Sequence, residues 1–234
     1  MRVIPAVDIR GGLCVNLVQG DFDQETVFSR DPVAQAAKWH SLGADIVHIV
    51  DLDGAREGKL LVGPELREIH QQGIAFEIGG GIRQMSDIEE AFALGADRVI
   101  LGTSAYRNPE LVKEAARRFP SRIVVGIDAK AGKVSLSGWR EDTDTDALEF
   151  ALRVQDAGAS RIIYTDILRD GMLQGPNFHA TQTLADALRI PVTISGGVSS
   201  LEDIRQARRM EVSSKRTSGG INEIIVGRAL YVGA

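Results

Sequence analysis

Two stretches decide the fold: IGGGIRQMSDI at 78–88 and ISGGVSSLEDI at 194–204. They start 116 residues apart, at 78 and 194, and agree at Ile, at Gly-Gly and at Asp-Ile. Each reads as the end of a β-branched strand, a glycine turn and the start of a helix. A chain that repeats one strand–turn–helix unit at such a distance invites a search for a longer repeat on either side.

Working outward, short β-branched runs predict strands at 2–9, 45–52, 74–80, 97–102, 122–128, 161–167, 191–196 and 221–227. Amphipathic segments between them predict helices, among them 31–44, 86–96, 108–119, 145–159 and 200–208. Asp31, Ser86, Asn108 and Ser200 stand where N-caps belong, and Pro32 and Pro109 follow at the first helical position. Strands that alternate with helices build an α/β fold around a parallel sheet, and eight strands close such a sheet into a barrel. The expectation is a single (βα)8 barrel over residues 1–234.

The repeat extends beyond the opening pair. The first-strand segment ending in Asp8 is echoed by the fifth-strand segment ending in Asp128, HIVDLDG (48–54) by YTDILRDG (164–171), and ILGTSA (100–105) by IVGRAL (225–230). Echoes in the same order predict two homologous half-barrels, about 1–120 and 121–234.

Composition narrows the partners. Basic residues number 27 and acidic residues 32, a net charge of −5, with no Lys/Arg run of the kind that meets nucleic acid or a membrane surface. An anionic ligand would need local donors. The lone Cys14 excludes an internal disulfide or a cysteine-built metal cluster, and no leader-like or membrane-length apolar run is present, so a cytoplasmic monomer without metal is expected.

Glycine loops between a strand and a helix leave backbone N–H groups free to bind phosphate oxygens. One candidate nest joins Gly80 and Gly81 with Gly102 and Thr103; its counterpart joins Gly196 and Gly197 with Gly227 and Arg228. In an α/β barrel these loops share the face where catalytic residues stand. Asp8 and Asp128 would then face each other across a mouth with a phosphate site on either side, placed to move a proton in a substrate held at both ends.

The ordered set IPAVDIRGG, LVQGDF, HIVDLDGA, IGGGIR, GIDAKAGKVSLSGW, TDILRDGMLQGPN, ISGGVSS and IIVGRAL resembles a family of histidine-biosynthetic isomerases. That family converts a phosphoribosylformimino-aminoimidazole carboxamide ribotide to its phosphoribulosyl form. The resemblance implies a (βα)8 barrel of the TIM type, a bis-phosphorylated small-molecule substrate and an Amadori rearrangement without cofactor. It implies that Asp8 is the general base and that Asp128 or Asp170 is the acid, with Thr165 near the reacting ribose. Trp139 is placed to stack on the imidazole carboxamide, and Arg83 to reach a phosphate or the aglycone. His48 reads equally as a barrel-lining residue and as a substrate contact.

Two features depart from the family pattern. Asn16 stands where relatives usually carry Arg, and RALYVGA (228–234) leaves little room for a last helix after a lengthened approach, KRTSGG (215–220). Three other readings compete. They are a cyclase that takes ammonia from a glutaminase subunit, an isomerase that also accepts phosphoribosylanthranilate, and a non-catalytic phosphosugar-binding barrel.

Overall fold

The computed structural model describes residues 1–213 and 219–234. Its parallel strands are β1 (Arg2–Arg10), β4 (Val47–Asp51), β5 (Phe76–Gly79), β6 (Arg98–Leu101), β7 (Ile123–Lys130), β10 (Arg161–Asp166), β11 (Val192–Ser195) and β12 (Ile221–Val226). They are hydrogen-bonded in that order. β7 pairs with β10 and β12 pairs with β1, so the ring is closed. All eight strands lie within a few residues of the runs read from the sequence. The segment after β12 forms only the five-residue helix α10 (Arg228–Val232). Closure does not wait on a longer helix, because the β12–β1 ladder runs over four residue pairs from Arg2–Glu223 to Pro5–Val226. Residues 215–218 of the KRTSGG segment lie outside the described residues.

Period-two alternation divides the core in two. Val7, Ile9, Val47, Ile49, Phe76, Ile78, Val125, Ile127, Ile162 and Ile194 belong to the larger buried cluster, which includes the inner faces of the helices. Ile4, Ala6, Ile46, Ile100, Val124, Ile163 and Ile225 form a separate cluster on the opposite faces of the strands, filling the barrel's interior.

Local chemistry fixes the helices. α1 (Pro32–Ser41) starts where the Asp31 carboxylate accepts from Ala34 N, and α6 (Pro109–Arg118) where Asn108 accepts from Leu111 N. α4 (Met85–Ala93) differs from expectation: its cap is Gln84, two residues before Ser86, because Gln84 and Asp87 complete a capping box. In α9 (Leu201–Ser213) the Asp203 carboxylate takes the N–H groups of Ser199 and Ser200, as Asp87 takes those of Arg83 and Gln84. The opening repeat is therefore a repeat of hydrogen bonds as well as of letters.

The sequence reading did not foresee two hairpins. β1 runs past Asp8 and folds back into β2 (Leu13–Val18) and β3 (Asp21–Ser29); β7 runs past Asp128 into β8 (Lys133–Leu136) and β9 (Glu141–Asp146). Both hairpins rise from the C-terminal ends of barrel strands, the end at which the acids stand.

Candidate active site

Asp8, near the end of β1, shares the inward face with Ala6. Asp128 stands across the ring on β7, in register with Thr165 of β10, and Asp170 follows β10 in the next loop. The three carboxyls are close enough that Asp170 feels the charges of both others. All are half-buried at the foot of the mouth. Loss of bulk water pushes Asp8 up from 3.8 to about 6, against a lowering influence of His48. The same loss, reinforced by the negative charges of Asp8 and Asp128, pushes Asp170 up to about 7. Asp128 is also raised by burial, but hydrogen bonds from Trp139 and Thr165 favour its ionised form and oppose the rise.

Trp139 has a contact that the sequence did not suggest. Its indole hydrogen-bonds the Asp128 carboxyl, and its ring lies against Gly20, where an added Cβ would come 2.4 Å from Trp139 Cε3. Consecutive positive φ angles of 58°, 64° and 67° at Ser137, Gly138 and Trp139 turn the chain so that the indole points inward. The tip of the first hairpin closes over the same region. Gln19 N donates to Asp170 O at 3.3 Å and Gln19 Nε2 to Leu168 O at 3.0 Å. Asn16 lies further down that hairpin, opposite Thr26.

The two glycine loops match in detail. A Cβ on Gly80 would meet Asp51 O at 2.2 Å and one on Gly196 would meet Asp166 O at 3.2 Å; for Gly81 the obstacle is Lys59 O at 2.3 Å, and for Gly197 it is Gly175 O at 2.6 Å. All four glycines have positive φ. Only glycine permits both this turn and this closeness of backbone to backbone. The second pair matches as well: Gly102 (φ −104°, ψ −105°) and Gly227 (φ −99°, ψ −108°) precede the short helices α5 (Thr103–Arg107) and α10. Thr103 Oγ1 accepts from Ser137 N at 2.9 Å and Arg228 Nη1 donates to Gly171 O at 2.6 Å, so each pair braces a loop that carries an acid or its partner. Arg83 folds over Gly58, with Nη2 3.4 Å from Ala55 O.

Beneath the acids, the barrel's floor is ionic. His48 Nδ1 lies 2.7 Å from Glu77 Oε1, Arg98 Nη2 lies 2.8 Å from Glu77 Oε2, and Arg98 and Arg161 approach Glu223 at 3.0 and 3.3 Å. The sequence reading singled out His48 but missed Glu77 and the arginines, because charged residues in short strands carry no sign of what faces them across a barrel. It also missed Asp51 and Asp166. Asp51 caps α2 (Leu52–Glu57) through Gly54 N and binds Leu61 N and Val62 N; Asp166 binds Leu168 N and Asn177 Nδ2. The echo of HIVD in YTD was the available signal.

Fold and site together define a class: a (βα)8 barrel whose strand C-termini gather carboxyls raised by burial between paired glycine loops, the layout of a barrel enzyme. Residues 2–234 match the family model described as "Histidine biosynthesis protein", and the chain belongs to that family. It is 51% identical over 235 residues to a protein of Geobacter sulfurreducens, and 50% identical over 238 residues to one of Pelobacter propionicus. In both cases the match covers all of this chain and 94% of the relative. A relative from Thermoanaerobacter pseudethanolicus is 47% identical over 234 residues, with 95% of its length covered. All three carry the name 1-(5-phosphoribosyl)-5-((5-phosphoribosylamino)methylideneamino)imidazole-4-carboxamide isomerase.

Proposed function

We propose that this chain is the aldose–ketose isomerase of histidine biosynthesis, which carries out the Amadori rearrangement of the phosphoribosylformimino-aminoimidazole carboxamide ribotide. The observation that carries the reading is the meeting of Asp8, Asp128 and Asp170 in one mouth between two glycine loops of matching geometry. An aminoaldose becomes an aminoketose when the ribose ring opens, which takes an acid at the ring oxygen, and when the C2 proton leaves, which takes a base. Asp8 ionises near 6 and serves as base; Asp170 holds its proton to about 7 and serves as acid. Asp128 is the less suited acid, since Trp139 and Thr165 hydrogen-bond its ionised form.

The substrate ends in two phosphates, and each half of the barrel offers one cradle: Gly80, Gly81, Gly102 and Thr103 in the first, Gly196, Gly197, Gly227 and Arg228 in the second. We assign the Trp139 ring to the imidazole carboxamide, and Arg83 to a phosphate or the aglycone. The division into homologous halves near residue 120 is supported by the shared hydrogen bonds of Asp87 and Asp203. Because the reaction moves only protons, it calls for no redox cofactor or metal. We place the enzyme in the cytoplasm as a monomer with no nucleic-acid or membrane partner. Among the described residues no helix is long and apolar enough to cross a membrane.

Conversion of the ribotide, followed by its ultraviolet spectrum, tests the reading. kcat/KM should trace a bell against pH, with limbs that belong to the coupled acids rather than to either alone. Asp8→Asn should lose roughly 10²–10⁴-fold in kcat while still binding substrate. Near-normal turnover in that variant refutes the mechanism. If Asp170→Asn keeps its activity and Asp128→Asn loses it, the acid is Asp128.

A further inference from the structure

The ionic floor is a buried charged network that the proposed mechanism leaves unused. Its upper end is His48. The β1–β4 register sets His48 beside Ala6, and Asp8 is one pleat above Ala6 on the same face. The imidazole therefore rises over a methyl group toward the acids, and its charge acts on Asp8, Asp128 and Asp170 alike. Its other edge is held from below: the β4–β5 register places Glu77 next to it, with Nδ1 2.7 Å from Oε1. The Glu77 side chain is 1% exposed and that of His48 12%.

We propose that Glu77 is a positioning residue for the rearrangement, holding the Nδ1 proton of His48 so that the imidazole presents one fixed edge to the three carboxyls of the mouth. The proposal rests on the acid–base reading given above. A carboxylate that accepts from one ring nitrogen fixes the tautomer and the ring's orientation, and it supports the imidazolium. Burial works against a charge on Glu77, yet His48, Arg98 and Arg161 more than offset it and hold the carboxyl below its ordinary value. The Arg98–Glu77 contact is ionic, since neither Arg98 Nη2 nor Glu77 Oε2 makes a hydrogen bond. Glu223 in turn occupies Arg2, Arg98 and Arg161. The groups facing His48 are thus Asp8 on β1, Glu77 on β5, Asp128 on β7 and Asp170 after β10.

The chemical consequence is a bias on the base. A positive His48 lowers Asp8, which favours the ionised form needed to take the C2 proton. A buried ion network used only for stability would leave the pH dependence of turnover where it was, which separates the two roles.

The test uses Glu77→Gln, which keeps the shape and removes the charge, with Glu77→Leu as a second variant. In Glu77→Gln the acidic limb of kcat/KM should move up by about half to one pH unit, so kcat/KM should fall about 3- to 10-fold on that limb and at most about twofold at pH 7, while KM stays within about threefold. An unmoved limb overturns the proposal. A second measurement does not depend on turnover: nitrogen-15 spectra of the whole protein, with His48 assigned through His48→Gln. In the wild type, His48 should carry its proton on Nδ1 throughout the active pH range, and in Glu77→Leu that signal should be lost. A His48 protonated only at Nε2 in the wild type overturns the proposal even if neither variant folds. Full activity in Asp8→Asn would instead defeat the acid–base reading and leave the Nδ1 signal where it is.

Discussion

Replacing Asp170 with Asn should make the protein more stable at neutral and alkaline pH while it destroys turnover. The folded state raises this carboxyl from 3.8 to about 7. Below pH 3.8 both folded and unfolded chains hold the proton and the group is neutral in its effect. Between 3.8 and 7 the unfolded chain ionises while the folded one does not, so stability falls as pH rises, by ~1.4 kcal/mol per pH unit at most. Above 7 both states are ionised and the penalty is constant, at an upper bound of about 4 kcal/mol. Water in the mouth reaches part of the side chain, and an amide there loses some hydrogen bonding, so about 2 kcal/mol is the expected gain. The assay is urea unfolding of wild type and Asp170→Asn at pH 4.5 and pH 8. The variant should gain little at the lower pH and about 2 kcal/mol, or roughly 4–8 °C in Tm, at the higher. A gain independent of pH, or none at pH 8, would refute the argument that the mouth holds Asp170 as a neutral acid.

Gly81→Ala and Gly197→Ala each push a Cβ into a backbone carbonyl, at 2.3 and 2.6 Å. If the loops bind phosphate, KM should rise about tenfold or more with kcat within about threefold, and a fall in kcat alone would contradict that role. Trp139→Phe removes the indole donor from Asp128 while keeping the packing on Gly20. Asp128, left protonated to higher pH, would then withdraw part of its negative charge from Asp170, so the limbs of the coupled pH profile should shift and kcat/KM should fall about 10-fold; an unchanged profile would leave the ring as packing only. Asp51→Asn keeps one acceptor oxygen but turns the other into an NH2 group that faces either the Gly54 N–H or those of Leu61 and Val62 under the first glycine loop, and urea unfolding should report a loss of about 2–3 kcal/mol. A loss under about 0.5 kcal/mol would mean that water replaces the carboxylate.

What the amino-acid order determined alone was whatever depends on near neighbours. β-branched runs specify strands by their side chains' fit to a pleated sheet, and Asp31, Asn108 and the prolines behind them start helices through bonds three residues long. Eight such strands in α/β alternation already imply the barrel, and the repeat placed Asp8, Asp128 and the glycine loops at one end of it. Tertiary structure decided the rest. The pairing of His48 with Glu77 and of Arg98 with Glu223 spans ring neighbours and the barrel's interior, and nothing in a four-residue strand such as FEIG or RVIL announces it. Asp170 became the raised acid because the closed barrel buries it and because two other carboxyls, more than 40 and 160 residues away in the chain, share its mouth. Trp139 is a donor to Asp128 because three successive left-handed residues and a bare Gly20 let the indole in, which no local pattern announces. Charge, burial and hydrogen-bond supply at a point in space are sums over whatever the fold brings there, and those sums exist only once the barrel has closed.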